Sequence, residues 1–470
     1  MAEDLCLKLQ NGTQLFVPNR LDAITTYVIL EQERWFEKEW GFIPHLLRPG
    51  MTAIDIGANL GIFSMAMARA VGAAGRVYAY EPTSETRARL EKSKAINGAE
   101  NIVVVGSALS DTEREGRIVF GASSELNRLG DDADGMGEAV HLTSLDLERR
   151  RHGWGEIDFI KMDAEGEELK IIAGGRSVFE AGSPVVMFEI RSETGYEPRI
   201  AQEFEALGYG LYRLLPDERH LVPFVEAELD GLELNLFAVK PERARELAER
   251  GLLAEDRGAP AIADGTFRRF AEARRYFGIA PALFGRAGNG SKMMRGLDAY
   301  AVWRDETRQI SERYAALKLA LEQFGAAAED RRDLATLLNL ARANNDAGHR
   351  GTAYERLVEA MRLMDAGTAP EAPFVPPTLR HEEEIGDTGT WLTGACVDAA
   401  ELLSKYSSFH SGVIPQLDWL CGTSQATIAM ERRRALSAAV RGKALTLRKD
   451  LRVVAPDHLN AETWAKLIGQ

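Results

Sequence analysis

A chain of 470 residues exceeds one ordinary domain, so two or three are expected, each long enough to build its own core. With 57 Lys and Arg against 71 Asp and Glu, the formal charge of −14 argues against a nucleic-acid-binding surface and makes nucleic acid a poor substrate. Cys6, Cys396 and Cys421 are scattered without a C-x-x-C spacing, so neither a disulfide framework nor a zinc site is suggested. The start is acidic, and no stretch approaches the ~20 apolar residues of a spanning helix, so the expectation is a cytoplasmic protein with no transmembrane segment.

Leu5-Cys6-Leu7-Lys8-Leu9 alternates, Asn11-Gly12 signals a turn and Leu15-Phe16-Val17 follows, which predicts an opening hairpin, placed as a lid over a cofactor face. Residues 24–42, with Tyr27, Glu31, Trp35, Phe36 and Trp40, read as an amphipathic entry helix whose rings pack into a core. Residues 52–56 form a short apolar run suited to a strand buried on both faces. Phe63, Ala66, Met67, Ala70 and Val71 then repeat at helical spacing, so the intervening residues make a glycine turn between strand and helix.

In that turn, Gly57 permits a tight backbone and close approach, and Gly61 at the helix start permits close packing against the strand. Asp55 stands two residues before the first glycine, where its carboxylate would repel a dinucleotide pyrophosphate but suits the ammonium and sulfonium of S-adenosylmethionine. Residues 76–80 form the second strand, closed by Glu81-Pro82, and an acid at that tip can accept both ribose hydroxyl protons. A helix over 84–95 leads to a third strand, 102–105, whose tip at Gly106-Ser107-Ala108 should face the adenine; Ser107 can equally be a turn cap.

Residues 118–120 and 140–142 read as edge strands joined by a substrate loop over 121–137, with His141 as a structural histidine rather than a base. Residues 159–162 form the fourth strand with Asp163 at its tip, and 185–189 the fifth, ending at Glu189. A helix over 197–208 and an antiparallel pair, 211–215 with 234–239, close the sheet. Ligands of such sheets sit outside the strands' carboxyl ends, so Asp55, Glu81, Ser107, Asp163 and Glu189 should share one rim.

Ile54-Asp-Ile-Gly-Ala-Asn-Leu-Gly61, Glu81-Pro82, Leu145-Asp146 and Phe159-Ile-Lys-Met-Asp-Ala-Glu-Gly-Glu-Glu168 make residues 31–239 resemble the FkbM methyltransferases. The resemblance implies a doubly wound, Rossmann-like class I methyltransferase sheet in an α/β domain over 1–241. It also implies an S-adenosylmethionine-dependent O-methyltransferase that acts on a hydroxyl of a sugar, glycan or related natural product. Cofactor contacts are then expected from Asp55, Gly57, Asn59, Gly61, Glu81, Ser107 and Ala108.

Past Pro241 the strand patterns stop, and 242–470 read as an α-helical domain with helices over 243–250, 265–277, 297–324 and 333–364. Leu337, Leu340, Ala341, Ala353, Leu357 and Ala360 fit one tetratricopeptide-like unit, although a plain helical hairpin fits as well. Residues 366–378 are proline-rich and read as an extended linker, with helices resuming over 391–406 and 426–447. The glycine-rich 285–292 lacks phosphate-loop spacing and reads as a loop. The basic run Arg432-Arg433-Arg434 to Arg441, with Lys443, Arg448 and Lys449, reads as a solvated face. Such a helical half suggests a protein partner or homo-oligomer.

Methyl transfer from a sulfonium needs the acceptor aligned in line and relieved of its proton. Asp163 is the first candidate base. Glu165 and Glu168, three apart, either join it or position the following helix, and Asp163 with Glu189 can share a divalent cation with a vicinal diol. The competing classes are a methyltransferase fold without turnover, kept as a scaffold or partner-binding protein, and a nicotinamide enzyme, which Asp55 disfavours.

Overall fold

The structure, a computed structural model, describes residues 3–121, 127–130, 136–192, 195–229, 231–274, 281–284, 290–382, 388–404, 407–413, 415–443 and 458–468. The chain forms two compact units. One comprises Met1–Leu214, Glu233–Leu252 and Val454–Gln470; the other comprises Leu215–Leu232 and Leu253–Val453. This division differs from a single boundary at 241, because the chain leaves the first unit twice and its C-terminus returns to it.

The first unit opens with β1 (Leu5–Lys8), β2 (Gln14–Val17), α1 (Ile24–Gln32) and α2 (Lys38–Leu46). Strands and helices then alternate as β3 (Thr52–Ile56), α3 (Ile62–Val71), β4 (Arg76–Tyr80), α4 (Ser84–Asn97) and β5 (Ile102–Val105). Four short strands follow, β6 (Ser107–Leu109), β7 (Arg114–Val119), β8 (Arg128–Leu129) and β9 (Gly137–Thr143), and after them α5 (Leu145–His152), β10 (Phe159–Met162), α6 (Glu168–Gly174), α7 (Arg176–Ala181) and β11 (Val185–Glu189). Next come the pair β12 (Arg191–Ser192) and β13 (Gly195–Tyr196), then α8 (Pro198–Ala206) and β14 (Gly210–Leu214). The strand β15 (Leu221–Pro223) falls in the second unit, and β16 (Asn235–Val239) and α9 (Pro241–Glu249) complete the first.

Within this unit the main sheet runs β14-β16-β11-β10-β3-β4-β5. Neighbours from β5 to β11 are parallel, while β16 is antiparallel to both β11 and β14, which is the expected reversed end. The central strands are apolar on both faces because helices cover both sides: Ala53, Ile54, Phe159, Ile160, Val186 and Phe188 have no exposed surface. Two charged residues interrupt this core side by side, Asp55 of β3 paired in register with Lys161 of β10.

Three expectations are corrected. The hairpin β1–β2 forms, with Leu5 opposite Val17, but Gln14 N and Phe16 N donate to Asn97 Oδ1 (3.0 Å) and Ser93 Oγ (2.9 Å) in the C-terminal half of α4. Since α4 starts beside Glu81 at the carboxyl edge of the sheet, that half reaches the amino edge, and the hairpin is no lid on the cofactor side. The entry helix is two helices, because Glu33 takes a left-handed φ of 58° and ends α1. The 118–120 and 140–142 strands are not edges of the main sheet; they belong to a separate four-stranded sheet, β6-β9-β7-β8. Residues 122–126 and 131–135 of the expected substrate loop lie outside the described residues.

The second unit is helical: α10 (Thr266–Glu272), α11 (Pro281–Phe284), α12 (Lys292–Trp303), α13 (Ile310–Asp330), α14 (Leu334–Ala347), α15 (Arg350–Asp365), α16 (Thr388–Ser404), α17 (Ser408–Ser411), α18 (Pro415–Leu420) and α19 (Ile428–Val440). Helices expected as single rods over 297–324 and 333–364 are broken in two. The second break is at Gly348, whose φ of 87° only glycine adopts readily and which ends α14 before α15 begins at Arg350; α14 itself starts with the Asp333 side chain accepting from Thr336 N. One core gathers Phe267, Leu297, Tyr300, Leu317 and Phe324; a second gathers Leu334, Leu338, Leu357, Trp391 and Cys396.

The proline-rich 366–378 is not a free linker. Val375 N donates to Asn339 Oδ1 (2.8 Å), Asn339 Nδ2 to Pro373 O (3.2 Å) and Arg342 Nη1 to Pro376 O (2.9 Å), so the buried amide and guanidinium of α14 strap it down. In the basic run, Arg433 pairs with Glu401 and Arg434 with Asp418 and Glu431, while Arg448 and Lys449 lie outside the described residues, as does 285–289 of the glycine-rich stretch. No described helix is long and apolar enough to cross a membrane. The last helix, α20 (Ala461–Ile468), belongs to the first unit.

Candidate active site

The turn after β3 is shaped by its two glycines. Gly57 has φ 74°, and a Cβ there would stand 1.9 Å from the carbonyl oxygen of Asp163, so no other residue fits. Gly61 has φ 88°, and its Cβ would meet Leu90 Cδ1 at 2.3 Å, so it packs against α4 rather than the strand. Between them Asn59 takes φ 48° and donates its amide to Glu81 Oε2 at 3.0 Å; Thr83 N reaches Glu81 Oε1 at 2.8 Å. Glu81 therefore ties the tip of β4 to the turn. Burial pushes its carboxyl up to about 7 against these amide bonds.

Asp55 lies beneath the turn with no exposed surface. Its Oδ2 accepts from Ser64 Oγ at 2.5 Å, its Oδ1 stands 4.0 Å from Lys161 Nζ, and burial raises its pKa against the pull of Lys161. Asp55 Oδ1 and Asn59 Oδ1 are buried acceptors without a hydrogen-bond donor. A turn with spare acceptors fits a ligand bringing donors, such as an ammonium and ribose hydroxyls, better than one bringing a pyrophosphate.

Past β10 and β11 the rim is acidic. One carboxylate oxygen from each of Asp163, Glu165 and Glu189 lies within 4.8 Å of the others. Glu165, left-handed at φ 49°, is the exposed member. Burial, then repulsion from Asp163, Glu165, Glu37 and Glu168, pushes Glu189 up to about 9. Sequence spacing left Glu165 and Glu168 equivalent, and the structure separates them. Glu168 accepts from Ala164 N (2.9 Å) and Gly166 N (3.0 Å), so it closes the loop, while Glu165 points into the rim.

Other expected residues fall elsewhere. Ser107 opens β6 of the small sheet, opposite His141, and Ala108 packs on its Ile118, Val140 and Leu142. His141 contacts Glu113 (3.1 Å) and Glu115 (3.4 Å) at the surface. Two residues without a role in the sequence reading belong to the site. Glu37, ahead of α2, accepts from Trp35 Nε1 (2.7 Å) and Asn235 Nδ2 (2.9 Å); burial raises its pKa, with Lys161 opposing and Asp163 adding. Lys161, 4% exposed, donates to Asp163 Oδ2 at 2.8 Å and lies 5.2 Å from the ring centre of Phe63. The sequence signal for Lys161 was a lone lysine inside an apolar strand pattern.

Residues 55–211 match the family model described as the methyltransferase FkbM domain. Over 244 residues, 44% of this chain, the sequence is 26% identical to the AMB antimetabolite synthetase AmbE of Pseudomonas aeruginosa, of whose length it spans 11%. Among solved structures, a SAM-dependent O-methyltransferase from Thermotoga maritima is 16% identical, with a TM-score of 0.26 over 51% of this chain and 92% of that one. A precorrin-6y C5,15-methyltransferase from Geobacter metallireducens is 12% identical, with a TM-score of 0.26 over 43% and 87%. Residues 55–211 thus carry a methyltransferase FkbM domain, and its sheet has the doubly wound layout that the sequence resemblance implied.

Proposed function

We propose that the first unit transfers a methyl group from S-adenosylmethionine to a hydroxyl of a sugar, glycan or related natural product. The contact between Gly57 and Asp163 carries this reading: the cofactor turn touches the backbone of the residue whose carboxylate opens the acidic rim. S-adenosylmethionine supplies an activated methyl on its sulfonium. Glu81, with each oxygen already accepting one amide, keeps a lone pair on each for the ribose hydroxyls. Asp163 takes the acceptor's proton, with Lys161 donating to its Oδ2.

A polyol suits this rim because it presents several donors to several carboxylates, and a natural-product acceptor accords with AmbE being an antimetabolite synthetase. A second reading has one observation in its favour: the Asp163, Glu165 and Glu189 oxygens are spaced to hold one hard divalent cation, which would lower the acceptor's pKa. The helical unit, with hydrophobic cores of its own, serves on this reading as a partner-binding or self-associating module.

Calorimetry with S-adenosylhomocysteine and NAD, followed by labelled methyl transfer into glycan, lipid, protein and small-molecule fractions with and without EDTA, tests the proposal. Binding of S-adenosylhomocysteine alone and labelling of a glycan or small-molecule fraction are expected. NAD binding overturns the cofactor assignment, labelling confined to protein overturns the acceptor class, and EDTA sensitivity decides for the cation. Cofactor binding without labelling of any fraction would mark a scaffold.

A further inference from the structure

Lys161 stands where an apolar side chain would serve packing better. It is 4% exposed in the middle of a parallel sheet, and taking an ammonium out of water is unfavourable unless partners offset it. Its surroundings come from four directions. Asp55 of β3 lies 4.0 Å from Nζ, and Asp163, beyond β10, lies 2.8 Å away. The Phe63 ring of α3 has its centre 5.2 Å away, and Glu37 ahead of α2 adds its field. Burial alone would depress the ammonium; Asp163, Asp55 and Glu37 together hold it above an ordinary lysine.

Two of these neighbours belong to different halves of the reaction. Asp55, held by Ser64, underlies the cofactor turn, and Asp163 faces the acceptor rim through its place beside Glu165 and Glu189. Lys161 Nζ stands between them, 4.0 Å from Asp55 Oδ1 and hydrogen-bonded to Asp163 Oδ2 at 2.8 Å. Resting on the methyl-transfer reading above, we propose that Lys161 is a positioning residue that ties the Asp163 carboxylate to the cofactor turn, fixing the oxygen that meets the acceptor hydroxyl relative to the methyl donor. A lysine suits this task because a three-donor point charge can serve two carboxylates from different strands at once.

The test compares wild type with Lys161→Met, Lys161→Arg and the charge-balanced pair Asp55→Asn with Lys161→Met. Probes are S-adenosylhomocysteine by calorimetry and labelled S-adenosylmethionine with the extract fraction that wild type labels. Lys161→Met is expected to keep S-adenosylhomocysteine affinity within about fivefold while kcat falls about a hundredfold or more, since alignment errors near an ångström cost that much. Lys161→Arg should recover part of kcat, and the double variant should recover thermal stability without recovering kcat. Restored kcat in the double variant would show that Lys161 only balances buried charge and would overturn the proposal. So would losses in affinity and kcat that simply track a lowered Tm across all three variants. Wild type that binds S-adenosylhomocysteine but labels no fraction removes the methyl-transfer reading and the Lys161 assignment with it, whereas failure of the variants alone removes only the latter.

Discussion

Glu81 works twice in this structure, holding the amides of Asn59 and Thr83 while standing at the tip where a ribose would lie. Replacing it with glutamine keeps the shape but loses a charged acceptor, at about 1.5–3 kcal/mol, so Glu81→Gln should weaken S-adenosylhomocysteine binding roughly tenfold or more by calorimetry. Unchanged affinity would remove Glu81 from the ribose. The buried carboxyls also set a pH dependence. Glu81 is raised to about 7, Glu39, a buried residue in the first turn of α2, to about 8, and Glu189 to about 9, chiefly by burial. For a carboxyl raised above its unfolded value, the stabilisation is complete below that value and is lost as pH climbs through the folded one. The ligand-free protein should therefore melt higher at pH 5.5 than at pH 9 in calorimetric scans; the opposite order would mean these groups are not buried as described. At this scale, Asp163 and Glu189 were legible because strand tips converge by topology. Glu37 was not, because pairing across elements leaves no local pattern, and Lys161 showed only as a lone lysine in an apolar strand, with its two partners hidden.

At the scale of elements, the strand-turn-helix at 52–71 carries the cofactor reading, and its glycines can be ranked by what surrounds them. Gly57 and Gly50 both have positive φ, 74° and 91°, but a Cβ at Gly57 meets Asp163 O at 1.9 Å while one at Gly50 meets nothing within 4 Å. Gly50→Ala should cost only about 1–2 kcal/mol of left-handed strain and keep cofactor binding. Gly57→Ala adds a backbone collision that parts β3 from the loop after β10, and should abolish S-adenosylhomocysteine binding in a folded protein. Equal behaviour of the two in calorimetry would detach the turn from the site. The parallel strands and the antiparallel pair β14–β16 were readable from apolar runs and spacing. The small sheet was not, because β6 follows β5 after a single residue, Gly106, and the sequence carries no sign that the chain changes sheets there. Helix breaks at 304–309 and Gly348 were likewise hidden in continuous helical composition.

At the scale of the whole molecule, the first unit is discontinuous, and its last piece is anchored by specific groups. Asn460 pairs with both Lys8 backbone atoms, accepting from N at 2.7 Å and donating to O at 2.9 Å, and the fully buried Trp464 donates from Nε1 to Leu30 O at 3.0 Å. A sequence reading in chain order assigns 458–468 to the helices before it, since nothing local marks a return over more than 400 residues. Trp464→Ala, a large-to-small change in a core, should cost about 3–5 kcal/mol and lower the Tm of the unit that S-adenosylhomocysteine stabilises; an unchanged Tm would mean that the C-terminal helix contributes little to it. Methyl transfer in this fold depends, as proposed, on Asp163 at the acceptor. Labelled methyl incorporation into the glycan and small-molecule fractions, by wild type and Asp163→Asn side by side, tests it most directly. Incorporation by wild type with a loss of about a hundredfold or more in the variant, at nearly unchanged S-adenosylhomocysteine affinity, is the expected result. Equal incorporation by both would contradict it.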